Sequence, residues 1–393
     1  MAESISPHLT ALFNLSLRLG IVADDWKMSN VTPIHKGGEV SAAANYRPIS
    51  LLSLVSKVLE RVIHNRVTKY LTANALLSKQ QFGFRSGFST QEALLVATND
   101  WHNLLSNHQQ VGAVFFDIKK AFDSVPHNQV ITSLASKGIA GPLLSWFSDY
   151  LTNRQQKVVL NGVSSSLTEV SSGVPQGSIL GPLIFIVFMD SIRTVQLSKG
   201  CKIMLYADDI LMYKPTSSKK GLQELQQDID KILKWTSDHG LKLNAAKTNV
   251  LPITRAKSPV HLELYINNSP ISVVNSVKYL GVTISSDLSW STHIKSKTKA
   301  GKRYIGLLHR QATPQARHAI YKAAILPKLE DCSSVWDPHQ RTLAEELKKT
   351  QLFAGRVIAH KWKADYCTIR TDLNWHTLER RQKNQRLRIC LTY

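Results

Sequence analysis

The stretch LYADDILMY, residues 205–213, restricts the possible folds of this chain more than any other segment. Two short apolar runs flank a pair of adjacent carboxylates, Asp208 and Asp209. A strand, a tight turn and a second strand is the simplest interpretation, and it places both aspartates at or near the tip of a β-hairpin. Aspartate is an ordinary turn residue, so this pattern taken alone is typical of a solvated turn.

A second carboxylate in a matching context changes that interpretation. The apolar run VGAVFF ends directly before Asp117, 91 residues ahead of Asp208. If that run is a strand paired beside the hairpin, three carboxylates converge at one sheet edge and repel one another unless cations lie between them. Such oxygen ligands suit Mg²⁺, and two such ions can bind both the attacking and the leaving oxygen of a phosphoryl transfer. The pattern therefore indicates nucleotidyl transfer.

The charge balance indicates a polyanionic partner. The 393 residues carry a formal charge of +21, and residues 291–393 contribute 21 basic against 8 acidic side chains. An excess of this size favours binding to a polynucleotide, although charge alone does not separate nucleic acid from an anionic membrane surface.

Several sequence features favour an intracellular protein. The four cysteines are too widely spaced for a zinc knuckle or a disulfide framework. The N-terminus lacks the pattern of a secretory signal. The longest apolar run, residues 179–189, is too short to span a bilayer and is interpreted as a buried core helix. We therefore expect no membrane partner, with nuclear and cytoplasmic locations both open.

Hydrophobic periodicity divides the chain into three parts. Residues 1–110 are expected to be mostly helical and basic, and residues 111–290 to alternate short strands with helices, giving an α+β sheet with helices on one face. After residue 290 the period is helical again. There, five apolar residues are expected to share one helix face: Leu343, Leu347, Ala354, Val357 and Ile358.

Two basic residues and one loop complete the candidate site. Lys36 precedes a glycine turn and Arg47 precedes a proline that favours extended backbone; both are candidate triphosphate ligands, or equally solvated surface charges. In SSGVPQGSILGP, Gln176 offers a donor and an acceptor beside Gly177, which permits close backbone approach. Loops of this composition are common, so the loop alone is weak evidence.

Seven blocks in order carry a specific resemblance. They are NYRPISLLS, QFGFRSGFST, FFDIKKAFDSVPH, SGVPQGSILGPLIF, YADD, GLKLNAAKT and VKYLGVTISSDLSW. The set resembles the reverse transcriptase domain of non-LTR (LINE-type) retrotransposons, and the resemblance covers most of the chain. It implies an α+β right-hand polymerase fold with fingers at 1–110, a palm with an antiparallel sheet and interleaved fingers segments at 111–290, and a basic helical thumb and C-terminal region at 291–393.

The resemblance also implies roles for individual residues. Asp117, Asp208 and Asp209 would be the metal-binding triad for two Mg²⁺ ions, with Asp209 the more peripheral carboxylate, and the backbone carbonyl of Ile118 would also face a metal. Lys36 and Arg47 would bind the triphosphate, and Gln176 and Gly177 would contact the template and the nucleotide. Lys247 would act as general acid and protonate the leaving pyrophosphate. The primer end would be held by Tyr279, Leu280 and Gly281.

Phe122 bears on sugar selection. The resemblance places it under the sugar of the incoming nucleotide, where a bulky ring excludes a 2′-OH and favours deoxynucleotides. The alternative is ordinary core packing at a helix start. The nearby Asp123 and His127 are interpreted as supporting residues, with His127 a hydrogen-bonded structural histidine.

The resulting hypothesis is an RNA-directed DNA polymerase that uses Mg²⁺, dNTPs, an RNA template and a DNA primer. Its main alternative is an inactive, truncated retroelement remnant that only binds nucleic acid. A polymerase of another lineage, such as a group II intron maturase, is a further alternative. No endonuclease domain is evident in this chain, although proteins of the resembled family usually carry one.

Overall fold

The computed structural model describes residues 2–308 and 313–392. Its helices are α1 (Ala2–Leu19), α2 (Asp24–Lys27), α3 (Leu54–Ala73), α4 (Thr90–Ser106), α5 (Ala121–Ser124), α6 (His127–Ser136), α7 (Gly141–Leu151), α8 (Leu180–Met189), α9 (Lys219–Asp238), α10 (Ser291–Leu308), α11 (Pro314–Ile320), α12 (Leu326–Glu330), α13 (Ser333–Trp336), α14 (Arg341–Ala359), α15 (Tyr366–Leu373) and α16 (Leu378–Thr392). Its strands are β1 (Met28–His35), β2 (Tyr46–Leu51), β3 (Val111–Phe116), β4 (Arg154–Leu160), β5 (Val163–Ser164), β6 (Thr168–Val170), β7 (Lys202–Tyr206), β8 (Asp209–Pro215), β9 (Asn249–Ile253), β10 (Tyr265–Ile266), β11 (Ser269–Pro270), β12 (Ser272–Val273), β13 (Ser276–Tyr279) and β14 (Val282–Ser285).

The central sheet has five strands in the order β12-β9-β3-β8-β7. β3 lies in the middle and is antiparallel to both β8 and β9, whereas the two-residue strand β12 runs parallel to β9. β7 and β8 form the hairpin expected from the sequence, with Tyr206 opposite Asp209. The predicted pairing of the strand before Asp117 with this hairpin is confirmed, because Phe116 lies opposite Ile210.

Helices cover both faces of this sheet. Val114 and Phe116 face a core that includes α8 and α9, whereas Ala113 and Phe115 face a second core that includes α4 and the C-terminal helices. The expectation of helices on one face is therefore wrong. All residues of β3 are buried, and a continuous apolar strand is what a sheet covered on both sides requires.

A second sheet joins distant parts of the chain. β1 is antiparallel to β2 and parallel to β4, and β4 also pairs with β5 and β6. The expectation that residues 1–110 are mostly helical misses β1 and β2. Both strands are partly exposed, so pairing with their neighbours decides their conformation more than local propensity does.

The C-terminal helices pack around α14. Its five predicted core residues are all buried, which confirms the helical period there: Leu343, Leu347, Ala354, Val357 and Ile358. α14 packs against α10, and α10 follows the β13–β14 hairpin directly. The C-terminal part is thereby joined to the face of the central sheet on which Tyr279 of the hairpin packs against Phe115 of β3.

The predicted core helix at 179–189 is confirmed as α8, whose side chains are almost all buried. Within the described ranges, no helix is both long and apolar enough to cross a bilayer. Cys201, Cys332 and Cys367 are free thiols, and the side chain of Cys390 lies outside the described residues.

Candidate active site

Three aspartates meet at one end of the central sheet. Asp117 follows β3 directly, Asp208 lies in the turn between β7 and β8, and Asp209 begins β8. Because β3 and β8 are adjacent and in register at Phe116 and Ile210, Asp117 and Asp209 emerge side by side. The convergence expected from the sequence is thus present in the fold.

Burial and neighbouring negative charge both disfavour ionised carboxylates at this edge. Burial is the main cause that raises the pKa of Asp208; the Asp117 carboxylate raises it further, while a backbone hydrogen bond and Arg47 oppose the rise. Burial, followed by the charges of Asp208 and Asp117, raises the pKa of Asp209 from 3.8 to about 6. The Asp209 side chain still reaches solvent, so screening weakens this effect. A cation at this edge would relieve the repulsion.

The donor set fits a divalent cation of the Mg²⁺ type. Among residues 2–308 and 313–392, no three His, Cys, Asp or Glu side chains form a ready-made metal cage. Mg²⁺ usually binds through one or two carboxylates and takes its remaining ligands from water and substrate phosphates. An open edge of carboxylates suits that mode of binding better than a closed cage does.

Asn244 holds Asp117 in place and is not anticipated as a site residue by the sequence. Its Nδ2 donates to Asp117 Oδ2 at 2.9 Å, and its backbone N–H donates to the Asp117 carbonyl at 2.7 Å. Thr248 Oγ1 accepts from the Asp117 N–H at 3.4 Å and donates to the Asn244 carbonyl. The block GLKLNAAKT contains Asn244, but its resemblance to the family singles out Lys247 instead.

Arg47 lies on the second sheet, Lys36 lies just beyond the end of β1, and both are exposed. Arg47 lies in β2 opposite Ile34 of β1, which confirms its expected extended backbone. Its guanidinium is close enough to Asp208 to affect that carboxyl group electrostatically. Lys36 follows β1, and its N–H donates to the Asn45 carbonyl at 2.9 Å.

The loop that contains Gln176 and Gly177 packs closely on β2. The Gln176 carbonyl accepts from the Ser50 N–H at 2.6 Å, and its side-chain amide donates to Asp123 Oδ1 at 2.8 Å. Gly177 has φ +115°, and a Cβ there would lie 2.6 Å from the Ser50 carbonyl oxygen. Only glycine suits this position.

Glu60 is a second residue that the sequence did not single out. It lies on α3, is fully buried, and its Oε2 accepts from the N–H groups of Ile179 at 2.7 Å and Leu180 at 3.2 Å. A carboxylate at the N-terminus of α8 satisfies N–H groups that have no partner within the helix. Glu60 therefore anchors the helix that follows the Gln176 loop.

Phe122 lies between the core and the surface. Its ring stacks on Phe185 of α8, with centroids 4.3 Å apart and an interplanar angle of 11°. Phe84 contacts it edge to face at 6.1 Å. The side chain is half-buried, so a partly accessible ring rests on a fixed aromatic support.

The β13–β14 hairpin lies near enough to Asp209 for that charge to act on Tyr279. Leu280 and Gly281 form its two-residue turn, both at positive φ. Tyr279 is buried against Phe115, with ring centroids 5.1 Å apart. Burial, together with the negative charge of Asp209, raises the pKa of the Tyr279 hydroxyl, which has no hydrogen-bond partner among the described residues.

The remaining candidates are distributed around this edge. Lys247 is exposed, and its N–H donates to the Asn244 carbonyl at 3.0 Å. Ile118 is buried and forms an isolated bridge with Leu243. The distance from His127 Nε2 to the Gly173 carbonyl oxygen is 2.9 Å, which confirms a hydrogen-bonded structural histidine.

Solved structures with a similar fold include telomerases. The apo telomerase of Candida tropicalis superposes with a TM-score of 0.52 over 99% of this chain and 67% of that chain, at 12% identity. The same telomerase in complex with a fragment of telomeric RNA gives a TM-score of 0.51 over 99% of this chain and 61% of that chain, at 13% identity. The α+β right-hand polymerase fold is thereby confirmed.

The sequence profile of the family described as reverse transcriptase (RNA-dependent DNA polymerase) matches residues 34–284. The chain belongs to this family. It is 30% identical to the probable RNA-directed DNA polymerase from transposon BS of Drosophila melanogaster, over 95% of this chain and 43% of that protein. It is also 30% identical to the RNA-directed DNA polymerase from mobile element jockey of the same species, over 82% of this chain and 36% of that protein.

These relatives confirm the resemblance to non-LTR retrotransposon reverse transcriptases. The chain spans less than half the length of the curated relatives named above. Enzymes of this family generally use divalent metal ions, which agrees with the acidic edge.

Proposed function

We propose that this chain is an RNA-directed DNA polymerase of a non-LTR retrotransposon, which adds dNTPs to the 3′-OH of a DNA primer on an RNA template. The observation that carries the proposal is the convergence of Asp117, Asp208 and Asp209 at one sheet edge, with raised pKa values for Asp208 and Asp209. Carboxyl groups that share a site and have perturbed pKa values are characteristic of functional centres.

The acidic edge would hold two Mg²⁺ ions. Asp117 and Asp208 would be the principal ligands, with Asp209 and the carbonyl of Ile118 beside them. When bound, such ions favour the ionised form of the attacking hydroxyl and neutralise charge on the leaving phosphate. Asn244 would keep the Asp117 carboxylate oriented through its 2.9 Å hydrogen bond.

Basic residues would bind the triphosphate. Arg47, whose charge already acts on Asp208, and the exposed Lys36 would donate to phosphate oxygens. Lys247 Nζ would donate a proton to the leaving pyrophosphate. Its backbone bond to Asn244 places it in the same segment as the residue that orients Asp117.

The neighbouring surfaces would position sugar, template and primer. The half-buried ring of Phe122 would lie under the sugar of the nucleotide and exclude a 2′-OH, supported from below by Phe185. Gln176 and Gly177 would contact template and nucleotide. The hairpin of Tyr279, Leu280 and Gly281 would hold the primer end.

We assign the fingers to 1–110, the palm with interleaved fingers segments to 111–290, and the thumb with the C-terminal region to 291–393. Pairing of β1 with β4 supports the interleaving, because residues before 110 and after 150 build one sheet. On α10 the exposed side chains of Lys295, Lys299 and Lys302 recur at helical spacing, which suits contact with a phosphate backbone.

Primer extension on an RNA template with Mg²⁺ and dNTPs tests the proposal. We expect Asp208→Asn, which removes the charge and keeps the volume, to lower extension by at least about a thousandfold, since several kcal/mol of transition-state stabilisation would be lost. Asp238→Asn, at an exposed position at the end of α9, is the matched control and should extend normally. A folded wild type that binds a primer–template in a salt-dependent manner without extending it would instead identify the inactive remnant.

A further inference from the structure

Gln81 makes a buried contact with the turn that carries Asp208. The residue is fully buried, and its Oε1 accepts from two backbone N–H groups: Gly83 at 2.8 Å and Ala207 at 3.1 Å. If the amide were turned over, its Nε2 donor would face these two N–H donors and no hydrogen bond could form. The hydrogen bonds therefore determine which amide atom is the oxygen. One side chain thus connects the QFGFR segment to the β7–β8 turn.

The backbone around Gln81 follows β7. The Leu205 N–H donates to the Gln80 carbonyl at 2.9 Å, and the Phe82 N–H donates to the Leu205 carbonyl at 2.8 Å. Gly83 then approaches the turn so closely that a Cβ would lie 2.3 Å from the backbone nitrogen of Ala207. The segment therefore lies along β7 and meets the turn at Gln81 and Gly83, and position 83 has no room for a side chain.

The segment is itself anchored. The Ser78 N–H donates to Asp190 Oδ1 at 2.6 Å, and Asp190 is fully buried in an ion pair with Lys137. The Arg85 guanidinium donates to the carbonyls of Ser78 at 2.5 Å and Gln81 at 3.1 Å. These bonds tie the segment to the buried Asp190 and fix its backbone around Gln81.

The turn needs such a support. Ala207 has φ +56°, a left-handed conformation that is sterically unfavourable for a residue with a Cβ. Such strained positions persist where the surroundings determine them, and they concentrate at functional sites. The Gln81 oxygen accepts a hydrogen bond from the N–H of Ala207, the residue directly before Asp208.

We propose that Gln81 is a positioning residue, which holds the strained Ala207 turn so that the Asp208 carboxylate faces Asp117. The proposal rests on the proposed polymerase function. It assigns no contact between Gln81 and substrate, and the effect reaches the chemistry only through the backbone of the turn.

The test compares Gln81→Met, which keeps length and volume but loses the acceptor, with Gln80→Met. Gln80 is the adjacent residue of the same type, its side chain is exposed, and its backbone bond does not depend on the side chain. We expect Gln81→Met to lower kcat by about tenfold to a hundredfold, because small displacements of reacting groups have effects of this size. The KM for dNTP should stay within about threefold, since binding groups are untouched.

Two further readouts separate positioning from general destabilisation. Hydrogen exchange at the Ala207 amide should become faster in Gln81→Met and stay unchanged in Gln80→Met. Adding Ala207→Gly to Gln81→Met should restore part of kcat, because glycine adopts the positive φ without steric cost. Should Gln81→Met fail to fold, Gly83→Ala tests the same contact by displacing the turn, with the same expected losses.

The outcomes are distinct. Wild-type kcat together with wild-type Ala207 exchange in Gln81→Met would overturn the inference, as would an equal loss in Gln80→Met. If the wild type itself does not extend primers, the proposed function fails, yet exchange at Ala207 still reports whether Gln81 holds the turn.

Discussion

Burial and charge repulsion at the acidic edge have a consequence for stability that is separate from catalysis. The pKa of Asp209 is raised from 3.8 to about 6, so the folded state disfavours its ionised form. A carboxyl group whose pKa is higher in the folded state contributes stability below its unfolded pKa, and this contribution is lost as the pH rises through the folded value. Without metal, the protein should therefore lose stability between about pH 4 and pH 6 through this group.

Replacing Asp209 by Asn should stabilise the metal-free protein at pH 8. A shift of this size corresponds to about 3 kcal/mol at 1.36 kcal/mol for each pKa unit. Because the Asp209 side chain is solvent-accessible, screening reduces this free energy, and we expect the substitution to stabilise the folded state by roughly 1 kcal/mol. For a chain of this length the increase in Tm would be about 2 °C.

Differential scanning calorimetry in EDTA at pH 5 and pH 8 measures the effect. Asp209→Asn should raise Tm about twice as much at pH 8 as at pH 5, because pH 5 lies about midway between the unfolded and folded pKa values, while Asp238→Asn should leave both values unchanged. Excess Mg²⁺ should stabilise the wild type more than the variant, because binding to the folded state adds stability. A lower Tm for Asp209→Asn at pH 8, or an equal shift at both pH values, would refute the electrostatic reasoning.

Two further substitutions probe residues around the site. Asn244→Ala should lower kcat by about tenfold while the backbone bond to Asp117 keeps the segment in place, since a hydrogen bond to a charged group contributes about 1.5–3 kcal/mol; an unchanged kcat in steady-state extension assays would contradict the orienting role. Phe122→Val should increase ribonucleotide incorporation relative to deoxynucleotides in single-nucleotide extension, whereas Phe122→Tyr keeps the bulk of the ring and should preserve the preference. An unchanged sugar preference in Phe122→Val would favour a purely structural role for that ring.

Much of the local structure could be predicted from patterns within short segments. The apolar runs around Ala207 predict the β7–β8 hairpin, and the continuous run of β3 predicts a buried strand. The helical period after residue 290 predicts the buried face of α14 correctly. These features depend on neighbours a few residues apart, which is the range over which sequence periodicity carries information.

The supporting contacts could not be predicted in that way. Asn244 reaches Asp117 across 127 residues, Glu60 reaches Ile179 across 119, and Gln81 reaches Ala207 across 126. None of these polar residues stands out locally, since Asn, Glu and Gln are ordinary surface residues. The second helical layer on the central sheet was missed for a related reason, because part of it comes from the C-terminal helices.

The sequence by itself determined which chemical groups are present: three aspartates at strand ends and turns, a basic surface, and an ordered set of blocks that identifies the family. Only the tertiary structure decided how those groups affect one another. Pairing of β3 with β8 brings Asp117 beside Asp209, and the surrounding packing then raises the pKa of two carboxyl groups. The physical reason is that desolvation and Coulomb interactions depend on distance in space, which residue spacing along the chain does not specify.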